Sequence, residues 1–238
     1  MANTTNRPAR DPNRPGNADN ITRQYFDSLL IKLRHIDGGI PNTKIELFGE
    51  KFDTPIMMAA LSHLDKYRPD GTTVMARGAK DANAVNWVGL CDTDDEVRSI
   101  CNTGAKTIWI IKPSADESVI FRHIKLAEEV GCLAIGMDVD HAFTKNGTYM
   151  TLFGDALESK TLKQIEKYVK ATKLPFIVKG VLHVDDAKKS VEAGASGIVL
   201  SHHHGIFDFA VPPVMVLPEI KEAVGEKIKI FVDCGITS

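Results

Sequence analysis

Three groups of residues in this sequence have the types and spacing to do chemistry. Lys179 interrupts the apolar run Phe176 to Val181. A cation inside an apolar strand is costly to desolvate, so Lys179 marks either a buried ion pair or a functional cation. Histidines fill positions 202 to 204, after a β-branched run and before Gly205. Side chains alternate along a strand, so at least one imidazole points inward and another away. A pKa of about 6.5 suits imidazole to proton abstraction at neutral pH. By itself the triplet is equally a metal site or a solvated loop. Asp138 and Asp140 end the run beginning at Ile135. A carboxylate there can orient a histidine and stabilise its protonated form.

These residues work together only if the chain brings them to one place. From Asp53 onward, short apolar runs alternate with amphipathic stretches, the pattern of parallel strands covered on both faces by helices. The spacing predicts strands over 54–61, 84–90, 107–112, 134–140, 176–181, 197–202 and 229–233. It predicts helices over 94–103, 117–130, 161–172, 185–193 and 218–224. Gly104, Gly131, Gly194 and Gly225 stand where helices must end and reverse into strands. The expected fold is α/β, a parallel (β/α)8 barrel of TIM type. Because Ser238 follows the seventh strand closely, the eighth unit is expected to be lacking. In such a barrel the loops that carry chemistry open at the C-terminal strand ends. There the sequence places Ser62, His63, Lys112, Asp138, Asp140, Lys179, Ser201 to His204, and Asp233.

Composition narrows the function classes. With 238 residues, 43% hydrophobic and 25% charged, the chain can bury one large core. Its 29 basic and 31 acidic residues leave a net charge of -2, which gives no reason to expect nucleic acid or an anionic membrane as partner. No apolar run approaches the roughly 18–20 residues of a membrane span, and no secretory core precedes the barrel, so a cytoplasmic protein is expected. Cys91, Cys101, Cys132 and Cys234 lack paired spacing and read as reduced thiols rather than disulfides or zinc ligands. Residues 1–20 are too polar to bury surface and read as a disordered tail ahead of a barrel over 21–238. An open barrel edge predicts a homo-oligomer.

The stretch LPFIVKGVLHVDDAKKSVEAGASGIVLSHHHG, Leu174 to Gly205, resembles the FMN-dependent 2-hydroxy-acid oxidase and dehydrogenase family, which includes glycolate and lactate oxidases. ELFGEKFDTPIMMAA (46–60), AIGMDVD (134–140) and VDCGI (232–236) continue the resemblance in order. It implies FMN as cofactor and oxidation of a CH–OH group in a small 2-hydroxy acid or related molecule. By resemblance His203 is the base, Asp140 its carboxylate partner, and Lys179 the cation beside the flavin N1 and C2 carbonyl. Ser201 with Ala59, Ala60 and Leu61 would contact the ring, and Asp233 with Gly235 the phosphate.

The chain departs from the family at several of these places. Ile206 replaces an arginine that grips the substrate carboxylate, and no arginine lies between Asp140 and the fifth strand. Lys112 replaces a tyrosine, Ile110 a glutamine, Asp138 a threonine and Cys234 a glycine, while Thr237 and Ser238 replace two arginines. Lys112 and Lys145 are the cations left to meet an anionic substrate, without arginine's bidentate geometry. No metal belongs to this reading. Two others stand beside it: a flavin-independent barrel enzyme, using a metal on His203, His141 and Asp138 or Asp140 or a Schiff base on Lys179, and a non-catalytic barrel.

Overall fold

The computed structural model describes residues 14–236. It opens with α1 (Ala18–Ser28), capped by Asn17, whose side-chain oxygen accepts from the amides of Asp19 and Asn20. An antiparallel hairpin follows, β1 (Ile45–Leu47) with β2 (Glu50–Phe52). After α2 (Gly71–Asp81) come β3 (Asn86–Val88), α3 (Asp94–Cys101), β4 (Thr107–Ile111), α4 (Glu117–Glu129) and β5 (Ala134–Asp138). A short ribbon, β6 (Thr151–Leu152) and β7 (Asp155–Ala156), precedes α5 (Leu162–Lys170) and β8 (Phe176–Val181). The remainder is α6 (Val184–Glu192), β9 (Gly197–Leu200), α7 (Pro213–Val224) and β10 (Lys229–Val232).

Six strands form one parallel sheet in the order β10-β9-β8-β5-β4-β3. Trp87 of one edge strand meets Phe231 of the other edge-on, with ring centroids 5.1 Å apart. The sheet therefore curls until its edges face each other, in the manner of a barrel. Alternation divides the strand residues between two cores. Trp87, Ile108, Ile110, Ile177 and Val199 point inward, where Leu47 and Phe52 of the hairpin plug the space. Trp109, Ile111, Ile135, Met137, Val178 and Ile198 point outward beneath the helices, against residues such as Ile120, Ile124, Tyr168 and Ile220. Side-chain caps at Thr93, Asp116, Thr161 and His183 start the covering helices directly above the strand ends, Thr161 with Gln164 as a capping box.

The structure departs from the sequence expectations in three places. Residues 54–61 form no strand; Leu61 alone makes a parallel bridge, to Val88, and Ile56 is exposed. Pro55 lies inside that segment and removes a ladder donor. Helix α7 begins at Pro213 rather than 218, because Pro213 takes the first helical turn and Pro218 is carried inside the helix. Of the tail expected over 1–20, residues 1–13 lie outside the described residues, while 18–20 form the first turn of α1. Composition did not reveal that Asn17 caps this helix or that Thr22 binds across to His202. Between α1 and β1, Leu30, Ile31, Leu33, Ile36 and Ile40 lie exposed. Among the described residues no helix is long and apolar enough to cross a membrane.

The plug and this exposed segment make a direct comparison. Phe52 is 2% exposed and Ile40 100%. Phe52→Ala is expected to lower unfolding free energy by about 3–5 kcal/mol, and Ile40→Ala to change it by less than about 0.5 kcal/mol. Urea unfolding of the two variants checks both values.

Candidate active site

The parallel register of β5 with β8 sets Asp138 opposite Lys179 at the C-terminal end of the sheet. Lys179 Nζ lies 3.1 Å from Asp138 Oδ1 and 3.6 Å from Asp233 Oδ2, and it donates to Ser201 Oγ at 3.2 Å. Lys112, one residue beyond β4, donates to the other Asp138 oxygen at 2.6 Å and to His141 Nδ1 at 2.6 Å. Asp138 is thus a buried carboxylate between two ammonium groups. Burial alone would raise its pKa, but Lys112, Lys179 and then His203 outweigh that cost and hold it well below the usual carboxylate range. Burial likewise works against the Lys179 ammonium, yet Asp138, Asp233 and Asp140 keep its pKa above the ordinary lysine value.

Asp140 is placed by a backbone irregularity. The β8–β9 register shifts between Lys179 and Val181, and Gly180 between them has φ of 103°. A Cβ at Gly180 would lie 2.5 Å from Asp140 Cβ, so glycine serves both the conformation and the close approach. The Asp140 carboxylate then accepts from His203 Nδ1 at 3.3 Å, with Asp138 Oδ1 3.6 Å from the same nitrogen. The His203 ring packs edge-on against His141, 4.6 Å between centroids, and its backbone N–H donates to Ser201 Oγ at 3.1 Å.

The three histidines do different things. His202 accepts from the Gly205 N–H on Nδ1 at 3.0 Å, so its proton sits on Nε2 and is donated to Thr22 Oγ1 at 2.8 Å. Burial lowers the pKa of His202 and favours this neutral form. His204 Nδ1 lies 3.5 Å from Asp19 Oδ1. The outer two therefore dock α1, while the middle one faces the carboxylates. His203 and His204 both adopt left-handed backbone, φ 52° and 53°, a conformation that costs energy in non-glycine residues and persists only where neighbours enforce it.

Lys179, Asp140, His203, Ser201, Asp233 and Lys112 are therefore brought into one network, together with Asp138. Ala59 is exposed, Ala60 half-buried and Leu61 38% exposed, beside the bridge to Val88. Gly235 packs toward Thr22 and Phe26 of α1. Cys234, between it and Asp233, donates its thiol to Asp233 Oδ1 at 3.1 Å; burial pushes its pKa up to about 11, so it stays protonated at neutral pH. Lys145 joins a separate ion-pair group, half-exposed, 3.5 Å from Asp208, which Arg14 also contacts. Thr237 and Ser238 lie outside the described residues. Reading the sequence did not reveal the Lys112–His141 contact, the latch between His202 and Thr22, or the task of Gly180. Only the last left a signal, a glycine within a strand interior.

Two further chemistries can be weighed on this geometry. Asp138, His141 and His203 bring one ligand atom each within 4.8 Å of one another, a spacing that suits a divalent metal. Lys112 Nζ stands 2.6 Å from two of those residues and already supplies a cation there. A Schiff base at Lys179 needs a neutral amine, and the surrounding carboxylates favour the ammonium.

A family profile described as FMN-dependent dehydrogenase matches residues 16–151 and 145–238. The 4-hydroxymandelate oxidase of Amycolatopsis orientalis is 28% identical over 82% of this chain and 64% of its own length. A peroxisomal (S)-2-hydroxyacid oxidase of Arabidopsis thaliana is 30% identical over 87% of this chain and 65% of its own. The chain therefore spans just under two thirds of the length of these relatives. Among solved structures, a mandelate oxidase variant with a monooxide FMN adduct superposes with a TM-score of 0.81 at 28% identity, covering 94% of this chain and 71% of that one. The α/β barrel architecture is thus shared with a flavoprotein.

The buried ion pairs give a pH signature. Because the folded-state pKa of Asp138 is depressed below an unfolded value of about 3.9, its stabilisation is complete above about pH 4 and is lost as pH falls toward the folded value. Asp138→Asn leaves two lysines facing one fewer carboxylate and is expected to cost about 3–5 kcal/mol at pH 7. It is also expected to flatten the loss of stability between pH 4 and pH 2. Urea unfolding across that range measures both, and equal acid slopes in the two proteins would contradict the pairing.

Proposed function

The chain belongs to the FMN-dependent dehydrogenase family, and from that premise we propose that it is an oxidoreductase acting on the CH–OH group of a 2-hydroxy acid or related small molecule. The observation that carries this reading is the contact of His203 Nδ1 with Asp140, beside the buried Lys179 and Ser201 at the strand ends. With Nδ1–H donated to Asp140, the neutral ring keeps its lone pair on Nε2, the atom that takes the hydroxyl proton of substrate. Asp140, and behind it Asp138, stabilise the imidazolium so formed and delay the proton's return.

The ring end of the site fits FMN in its donor set. Lys179 on β8 and Ser201 just past β9 place an ammonium and a hydroxyl 3.2 Å apart, complementary to the acceptors at the pyrimidine end of a flavin. Ala59 and Leu61 are exposed and Ala60 half-buried, where they would line the ring, and by resemblance Asp233 and Gly235 would meet the ribityl phosphate. FMN, when bound, supplies the acceptor for the substrate's hydride. Asp138 shares the Lys179 charge, so the cation would act on a bound flavin with reduced effect. We place the protein in the cytoplasm as a homo-oligomer, the exposed apolar side chains of residues 30–40 supporting association.

Mixing the purified protein with FMN and following its visible absorbance tests this reading. FMN is expected to bind and to bleach anaerobically when a CH–OH substrate is added. Lys179→Met is expected to weaken FMN binding at least tenfold. His203→Ala is expected to abolish bleaching, whereas His202→Ala loosens α1 and leaves a measurable rate. Failure to bind FMN, with activity that follows an added divalent metal, would replace this reading by the metal site at Asp138, His141 and His203.

A further inference from the structure

We infer that the group flanking the reacting hydroxyl of the substrate is uncharged, an amide, ester or simple alcohol carbon, and not a carboxylate. This rests on the oxidoreductase reading and narrows its substrate class.

The network around His203 holds three carboxylates, Asp138, Asp140 and Asp233, and two ammonium groups, Lys112 and Lys179. Every one of these cations already faces a carboxylate of the chain. Lys112 is 2.6 Å from Asp138, while Lys179 is 3.1 Å from Asp138 and 3.6 Å from Asp233. With His203 neutral, as a base must be before reaction, the network carries one net negative charge. With His203 protonated it is neutral. In neither state is a cation in surplus for a substrate carboxylate. Asp138 and Lys179 are 3% and 4% exposed, so solvent screens these charges poorly. A carboxylate brought beside His203 would meet uncompensated negative charge and lose its own hydration. An amide or ester would avoid the charge repulsion and give up much less hydration.

A surplus cation does exist nearby in the fold, in the group where Arg14 and Lys145 share Asp208. Its contacts tie it to the chain segments after β5 and β9 and to the N-terminal turn, and the Lys145 side chain is 51% exposed. It is the rival receptor for a carboxylate, and the test must include it.

The test compares two ligands of one skeleton, 2-hydroxy-2-phenylacetate and 2-hydroxy-2-phenylacetamide, by titration calorimetry on the FMN-loaded protein at pH 7.5. The amide is expected to bind at least tenfold more tightly. Asp138→Asn, where it folds, should bring the acid to parity. Acid binding equal to or tighter than amide binding overturns the inference and leaves the oxidoreductase reading standing. Loss of acid binding in Lys145→Gln assigns the carboxylate to the loop group and overturns it too. If neither ligand binds nor bleaches the flavin, the parent reading falls and the inference with it.

Discussion

The site depends on one buried carboxylate held between two lysines from neighbouring strands. Asp138 closes β5, Lys179 lies opposite it on β8, and Lys112 reaches across from the end of β4. None of these charges could be buried alone, since desolvating an isolated ion costs far more than a strand contributes. They can be buried together only if three parallel strands keep their register. The apolar residues that alternate along those strands, Ile108 and Ile110 inward, Trp109 and Ile111 outward, maintain that register. Packing and electrostatics therefore specify the same alignment.

The second requirement is a histidine presented to those charges. His203 sits in left-handed backbone, and the chain around it is secured on both sides by α1, through Thr22 to His202 and Asp19 to His204. A run of three histidines is thus one imidazole for the site and two for its scaffold. The same helix packs on Gly235, beyond β10, so α1 covers the ends of two neighbouring strands, β9 and β10. Gly180 completes the arrangement by letting Asp140 settle over the β8 backbone.

Much of this was legible beforehand. Apolar runs with helical stretches between them marked β3, β4, β5, β8, β9 and β10, because buried parallel strands admit few polar residues. For the same reason Lys179 stood out as a cation in need of a partner. What could not be read was which partner: Asp138 meets Lys179 and Lys112 only through inter-strand register, which leaves no local trace. Pro55 was a local signal against a strand at 54–61, and the apolar pattern masked it. Helix α1 is polar along most of its length, and its stability comes from a cap and from contacts with residues some 180 positions away in sequence. The family resemblance points to His203, Lys179 and Asp140, which lie in one network with Asp138. It could not anticipate how Asp138, aligned by the resemblance with a family threonine, changes the charge around them.

The ionisation of Asp138 is the claim on which the account stands. Carbon-13 labelling of the aspartates and NMR titration of their side-chain carboxyl shifts would follow it directly, with Asp138 assigned by its loss in Asp138→Asn. The account predicts a carboxylate that stays ionised through the range where an ordinary aspartate, of pKa about 3.9, takes up its proton, until the fold itself is lost. An Asp138 that titrates at or above that ordinary value, in protein still folded, would contradict it.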